Sequence, residues 1–164
     1  MMRYTTIESP VGPVLIAGDE AGIRHISFVS GTDPLAIPRP SEGGWVRDEE
    51  AFPDARAQVN EYFAGNLREF HLRLAPQGTE FQRQVWNALQ AVGYGRTVHY
   101  GELAAQIGRP KAARAVGAAA GRNPLPIVIP CHRMIGINGS LTGYRGGTEI
   151  KRFLLALETR NNYP

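Results

Sequence analysis

A chain of 164 residues, 43% of them apolar, is long enough for one large or two small domains with cores of their own. No apolar run approaches the roughly 18 residues that cross a bilayer, and the start, MMRYTTIESP, lacks the basic and apolar segments of a signal peptide. The expected address is therefore the cytoplasm, with no membrane partner. With Cys131 as its single cysteine, the chain can form neither an internal disulfide nor a cysteine-rich zinc site. The net charge of +3 is unevenly spread: residues 1–79 carry 7 Lys/Arg against 11 Asp/Glu, whereas residues 80–152 carry 10 against 3. The second half is the part suited to a polyanion.

In chain order, RYTTIES and VLIAGDEAGIRHISFV read as strands, with the turn residues Asp19 to Gly22 making the second stretch a hairpin. Residues 31–50 mix Pro, Gly and charge without period and read as an exposed connection. Pro53 suits a first helical turn, and Ala55, Val59, Tyr62 and Phe63 continue at helical spacing until Gly65, which predicts a helix near residues 52–64. LREFHLRLAP is a candidate further strand, and Pro76-Gln77-Gly78 a linker that divides the chain into 1–78 and 79–164. Thr79 and Gln82 form a capping-box pattern ahead of Phe81, Val85, Leu89 and Val92, which share one helical face.

Two short helical stretches, YGELAAQI and KAARAVGAAAGRN, flank Gly108-Arg109-Pro110 and fit a helix-turn-helix. IVIP reads as a buried strand or extended segment leading to Cys131. A final amphipathic helix is marked by Ile150, Phe153, Leu154 and Leu157, with Thr148 as candidate cap. The fold class is α/β in the α+β sense: a small N-terminal domain with an antiparallel sheet and a helix, then a mostly helical domain carrying the helix-turn-helix and the cysteine.

The chemistry concentrates at Pro130-Cys131-His132-Arg133, ahead of a glycine-rich loop from Gly136 to Gly147. The thiolate is the nucleophilic form, and a nearby base or cation raises its fraction at neutral pH. His132 and Arg133 are the candidates, His132 reaching Cys131 through a turn or through a bridging water. An imidazole in this role is usually oriented by a carboxylate. Glu80, Glu102, Glu149 and Glu158 are the ones in the second half, and Glu158 sits beside the apolar face of the last helix.

IPCHRMIGINGSLTGYRGG, together with RAVG, NP and a terminal LLALE in matching order, resembles the active-site signature of the O6-alkylguanine-DNA alkyltransferases. The similarity covers nearly all of residues 79–164, and the SPVGPVLIAGDEAGI and EYFAG segments extend it into the first half. The resemblance implies repair by direct reversal: a single, irreversible transfer of the alkyl group from O6-alkylguanine, or O4-alkylthymine, in double-stranded DNA to Cys131 after nucleotide flipping. It makes His132 a base acting through water, Glu158 the carboxylate that orients it, Asn123 the tie between helix-turn-helix and active-site segment, and Tyr100 both a phosphate neighbour and a hydrogen-bond donor to the leaving guanine. Arg114 would enter the stack vacated by the base, with Lys111, Ala115, Gly117 and Arg122 beside it on the DNA face. Tyr144, Arg145, Gly146, Met134 and Pro126 would line the base pocket, Arg145 standing where some members have a small residue. Zinc-binding relatives use N-terminal cysteines that this chain lacks, so the resemblance implies neither metal nor cofactor here, and a monomer suffices for the mechanism.

Two other classes use some of the same parts. A cysteine hydrolase also needs Cys, His and a carboxylate, but it turns over and has no use for Arg114. A non-catalytic helix-turn-helix DNA-binding protein would tolerate loss of Cys131, and the Ala- and Gly-rich second helix offers it few side chains for reading bases.

Overall fold

The computed structural model describes residues 1–29, 44–141 and 143–161, which divide into two compact units, Met1–Gln77 and Gly78–Pro164. In the first unit, β1 (Arg3–Ile7), β2 (Val14–Asp19), β3 (Gly22–Phe28) and β4 (Val46–Arg47) form a sheet in the order β3-β2-β1-β4. Both β1–β2 and β2–β3 are antiparallel, and the β2–β3 hairpin turns where Asp19 Oδ1 accepts the Ala21 N–H. The short β4 runs parallel to β1 through Arg3↔Val46 and Tyr4↔Arg47, which makes the sheet mixed. It lies inside the stretch expected to be a connection; two residues are too few for an alternating pattern to be read. The rest of that expectation, residues 31–43, lies outside the described residues.

Helix α1 (Pro53–Phe63) opens with Pro53, which has no N–H to lose, and buries Ala55, Val59 and Tyr62 at helical spacing. The candidate strand LREFHLRLAP is not one. Leu74 makes a single bridge to Ile23, through Ile23 N–H to Arg73 O and Ala75 N–H to Ile23 O, and this caps one edge of β3 without forming a ladder.

The second unit starts with α2 (Glu80–Gln90). Thr79 Oγ1 accepts the Gln82 N–H, and Gln82 Oε1 accepts the Thr79 N–H, so two end donors are satisfied reciprocally. Its buried face is Val85, Trp86 and Leu89, whereas Phe81 is half-buried and Val92 follows the helix end. Trp86 adds a tie to the next layer, its indole N–H donating to Ala119 O at 2.9 Å. After β5 (Val98–His99) come α3 (Tyr100–Gln106) and α4 (Ala113–Gly121), which pack on each other and on α2 as the helix-turn-helix. Helix α4 buries Val116, Ala119 and Ala120, leaving Arg114, Ala115 and Ala118 exposed, with Arg122 exposed just past its end.

The segment before Cys131 differs from the sequence expectation. Residues 124–129 are a chain of turns rather than a strand, with Ile129 N–H bonded to Leu125 O at 2.8 Å. Ile127 has φ +78°, a left-handed conformation that a β-branched residue adopts only under strain. Pro124 and Pro126 within it and Pro130 at its end deny the segment the donors of a sheet ladder, so its apolar residues are buried as a knot of turns. Cys131–Arg133 then form one 3-10 turn, followed by β6 (Met134–Ile135), which pairs parallel with β5.

The closing helix α5 (Thr148–Asn161) includes Thr148 as its first residue, with Gly147 O accepting the Lys151 N–H. Its buried face also departs from the expected one: Lys151, Leu154, Leu157 and Glu158 are buried, while Ile150 and Phe153 are half-exposed. Two charged residues thus occupy positions that apolar patterning assigns to neighbours. No helix among the described residues is long and apolar enough to cross a membrane, and no group of three or more potential metal ligands occurs among them.

Candidate active site

Cys131 is delivered by backbone geometry. Pro130, with φ −81° and ψ 63°, is the centre of an inverse γ-turn in which the Cys131 N–H reaches back to Ile129 O at 2.8 Å. The following 3-10 turn is closed by Arg133 N–H to Pro130 O and Met134 N–H to Cys131 O. Asn123, fully buried just past α4, holds this arrangement: its Nδ2 donates to Ile129 O at 2.8 Å and to Cys131 Sγ at 3.1 Å, and its Oδ1 accepts the Leu125 N–H. One amide therefore joins the end of α4 to the cysteine turn.

His132 and Glu158 meet on the other side of the turn. His132 Nε2 lies 2.5 Å from Glu158 Oε2, both side chains buried. Arg133 supplies a second cation to the same carboxylate, through Nε to Oε1 at 2.8 Å and Nη2 to Oε2 at 3.2 Å, and Gly95 N–H also reaches Oε1. Burial alone would raise the Glu158 carboxyl, but His132 and Arg133 bring it down to about 2. It is an acceptor only, so Nε2 of a neutral His132 carries the proton and Nδ1 presents its lone pair. Nδ1 is buried with no hydrogen-bond partner among the described residues. Burial also holds the imidazole below its ordinary range against the pull of Glu158, which keeps the resting ring neutral and able to accept a proton.

The Cys131 thiol is pushed up by burial, and the Asn123 amide, Arg145 and Lys151 act in the opposite direction. Arg145 is itself buried, its Nη1 donating to Asn123 O at 2.6 Å, so it braces the Asn123 hub. Tyr144 and Met134 are buried, Pro126 lies in the knot of turns and Gly146 is half-buried. Tyr100 opens α3, half-buried, with its ring against α4: a Cβ on Gly117 would lie 3.2 Å from Tyr100 Cε1. A side chain on Gly143, in the glycine-rich loop, would meet the Tyr100 hydroxyl at 3.8 Å. Burial, then the charge of an ionised Cys131, raises the Tyr100 hydroxyl, so it stays a donor at neutral pH.

The structure thus gathers Cys131 with Asn123 and Arg145, and His132 with Glu158. Lys111, Arg114, Ala115 and Arg122 are exposed on and around α4 instead. Sequence reasoning gave Arg133 no place beside Glu158 and passed over Lys151 altogether. The seven-residue spacing of Lys151 and Glu158, two helical turns on one face, was the available signal.

Two family models match the chain, one in each half. The model described as "6-O-methylguanine DNA methyltransferase, DNA binding domain" matches residues 80–160, and "6-O-methylguanine DNA methyltransferase, ribonuclease-like domain" matches residues 2–76. The chain belongs to this family. A Methanosarcina acetivorans methylated-DNA–protein-cysteine methyltransferase is 53% identical over 157 residues, covering 96% of this chain and 98% of the relative. The crystal structure of the Mycobacterium tuberculosis O6-methylguanine methyltransferase aligns with a TM-score of 0.90 at 47% identity, covering 100% of this chain and 96% of that one. A second M. tuberculosis structure, OGT in complex with DNA, aligns with a TM-score of 0.88 at 47% identity over 97% of this chain and 94% of its own.

Proposed function

We propose that this chain repairs O6-methylguanine in DNA by moving the methyl group onto Cys131. The observation that carries the assignment is that the family's reaction ends on a protein cysteine and this chain has one cysteine, held by Asn123 beside a His–Glu pair. The proton on Sγ passes through a water to Nδ1 of His132, the free lone pair of a ring whose other nitrogen is fixed on Glu158. The imidazolium so formed is stabilised by that carboxylate. Thiolate sulfur then attacks the methyl carbon, a C–S bond forms as the C–O6 bond breaks, and the electron pair leaves with guanine. The Tyr100 hydroxyl offsets the charge developing on the guanine by donating a hydrogen bond. The product thioether has no hydrolytic route back, so each molecule acts once.

The methyl group of a stacked base is out of reach, so the nucleotide leaves the duplex at a cost of about a few kcal/mol. Arg114, exposed early in α4, fills the gap. The other outward positions of that helix, Ala115 and Ala118, permit close approach to a groove, and Gly117 accommodates the Tyr100 ring. Lys111 and Arg122 contact phosphates, and binding is indifferent to flanking sequence. Tyr144, Gly146, Met134 and Pro126 form the walls around the extruded base, and Arg145 orders them from behind. Larger alkyl groups and O4-alkylthymine are candidate substrates of the same pocket, and one copy of the chain suffices. With DNA in excess, the number of guanines restored should equal the number of protein molecules, and Cys131→Ser should restore none. Continued turnover would replace this reading with a hydrolase.

A further inference from the structure

Lys151 is 1% exposed, and its ammonium donates to a backbone carbonyl, Met134 O, at 2.5 Å. Among the described residues it has no carboxylate partner, since Glu158 is engaged by His132, Arg133 and Gly95. A buried ammonium facing a neutral carbonyl is a costly arrangement, and the methyl-transfer chemistry described above does not use it. Its place in the fold suggests what offsets the cost. Lys151 and Glu158 lie on one face of α5, two turns and so roughly 10 Å apart, and they hold opposite sides of the cysteine turn. Glu158 takes the side chains of His132 and Arg133, and Lys151 takes the carbonyl of Met134, whose N–H closes the same turn on Cys131 O. At about 2 Å rise per residue, the turn puts Met134 roughly 6 Å from Cys131 along its axis.

We propose that Lys151 is a positioning residue for Cys131, its ammonium fixing the exit of the cysteine turn through the Met134 carbonyl and supplying the positive charge that complements the thiolate. The anion that Lys151 lacks in the resting protein arrives when Cys131 ionises. Burial lowers the Lys151 ammonium and an ionised Cys131 raises it again, which is the same coupling seen from the lysine. The other charged or titratable groups around the turn are His132 and Arg133 on it, Glu158 on α5, Arg145 and Tyr144 from the preceding loop and Tyr100 from α3. Arg133 and Glu158 neutralise each other, the resting His132 ring is neutral, and Arg145 acts from the Asn123 side. Lys151 is the cation on the Met134 side.

This rests on Cys131 as the methyl acceptor, and the two claims separate experimentally. Alkylation of the intact protein by iodoacetamide, followed against pH, reports Cys131 ionisation without DNA. Lys151→Met, which keeps the length and removes the charge, should raise the apparent thiol pKa by about one unit and slow the reaction at neutral pH roughly tenfold, with rates converging in alkali. Lys151→Arg, which restores a cation, should recover most of that loss. An NMR titration of the labelled Lys151 side chain needs no lysine variant: Nζ should hold its proton to higher pH in the wild type than in Cys131→Ser. A Lys151→Met profile that overlays the wild type, or a Lys151 titration indifferent to Cys131, overturns the proposal. Failure of the wild type to take a methyl group from O6-methylguanine DNA, with the iodoacetamide results intact, would overturn the repair reading alone.

Discussion

Replacing Glu158 by Gln tests the charge network behind Cys131. The carboxylate accepts from His132 Nε2 at 2.5 Å, Arg133 Nε at 2.8 Å, Arg133 Nη2 at 3.2 Å and Gly95 N at 3.2 Å. Gln keeps one acceptor oxygen and turns an NH2 group toward donors, which leaves the buried Arg133 cation without its counter-charge. The carboxyl sits at about 2 in the fold against 4.5 when free, and at about 1.4 kcal/mol per tenfold in proton affinity this is roughly 3 kcal/mol of linked stability. Breaking a buried ion pair from one side costs a similar amount, about 3–5 kcal/mol. Set against a total of about 5–15 kcal/mol for a protein of this kind, the variant should fold but unfold at clearly lower urea.

The sign follows from the lowered carboxyl: its contribution is complete above pH 4.5 and lost as the pH falls toward 2, so the gap between wild type and Glu158→Gln should close over that range. His132, held below its free value of 6.5, takes stability from both proteins as the pH drops beneath 6.5. Urea midpoints measured from neutral to acid pH check this. A neutral-pH difference below about 0.5 kcal/mol, or one that persists unchanged in acid, would refute the network as drawn.

His132→Ala should slow methyl transfer at neutral pH more than in alkali, where hydroxide ionises the thiol unaided, as a pH–rate series would show. Arg114→Ala should reduce repair of duplex DNA far more than reaction with free O6-alkylguanine, because only the duplex requires base extrusion; single-turnover kinetics on both substrates decide it. DNA affinity measured by fluorescence anisotropy should fall steeply with salt and vary little with flanking sequence. Gly117→Ala puts a methyl 3.2 Å from the Tyr100 ring, so transfer should slow while thermal stability holds or rises, since Ala favours a helix over Gly by about 1 kcal/mol.

Elements carried by spacing and end chemistry were legible in the sequence: the Thr79–Gln82 cap, the Asp19–Gly22 turn and the Pro53 helix start all act locally. The segment before Cys131 was not, because β-branched residues predict a strand and three prolines together with a left-handed Ile127 impose turns. The parallel β4 pairing was hidden by its length. On α5 the apolar pattern pointed to Ile150 and Phe153, but the face that turns inward carries Lys151 and Glu158, whose partners Met134, His132 and Arg133 come from another part of the chain. Periodicity sees apolar burial, and a buried charge is invisible to it until the partner is in place. Cys131 and His132 could be named from the motif that contains them and Asn123 from the resemblance carried by the NP pair; the two hydrogen bonds of Asn123 Nδ2 to Ile129 O and Sγ needed the folded turn.

Peptide mapping by mass spectrometry, after mixing the protein with duplex DNA containing O6-methylguanine, locates the transferred methyl group itself. One methyl group per protein molecule is expected, carried on the peptide that contains Cys131, with an equal amount of guanine restored in the DNA. Guanine restored while Cys131 stays unmodified, or a methyl group found on any other residue, would contradict it.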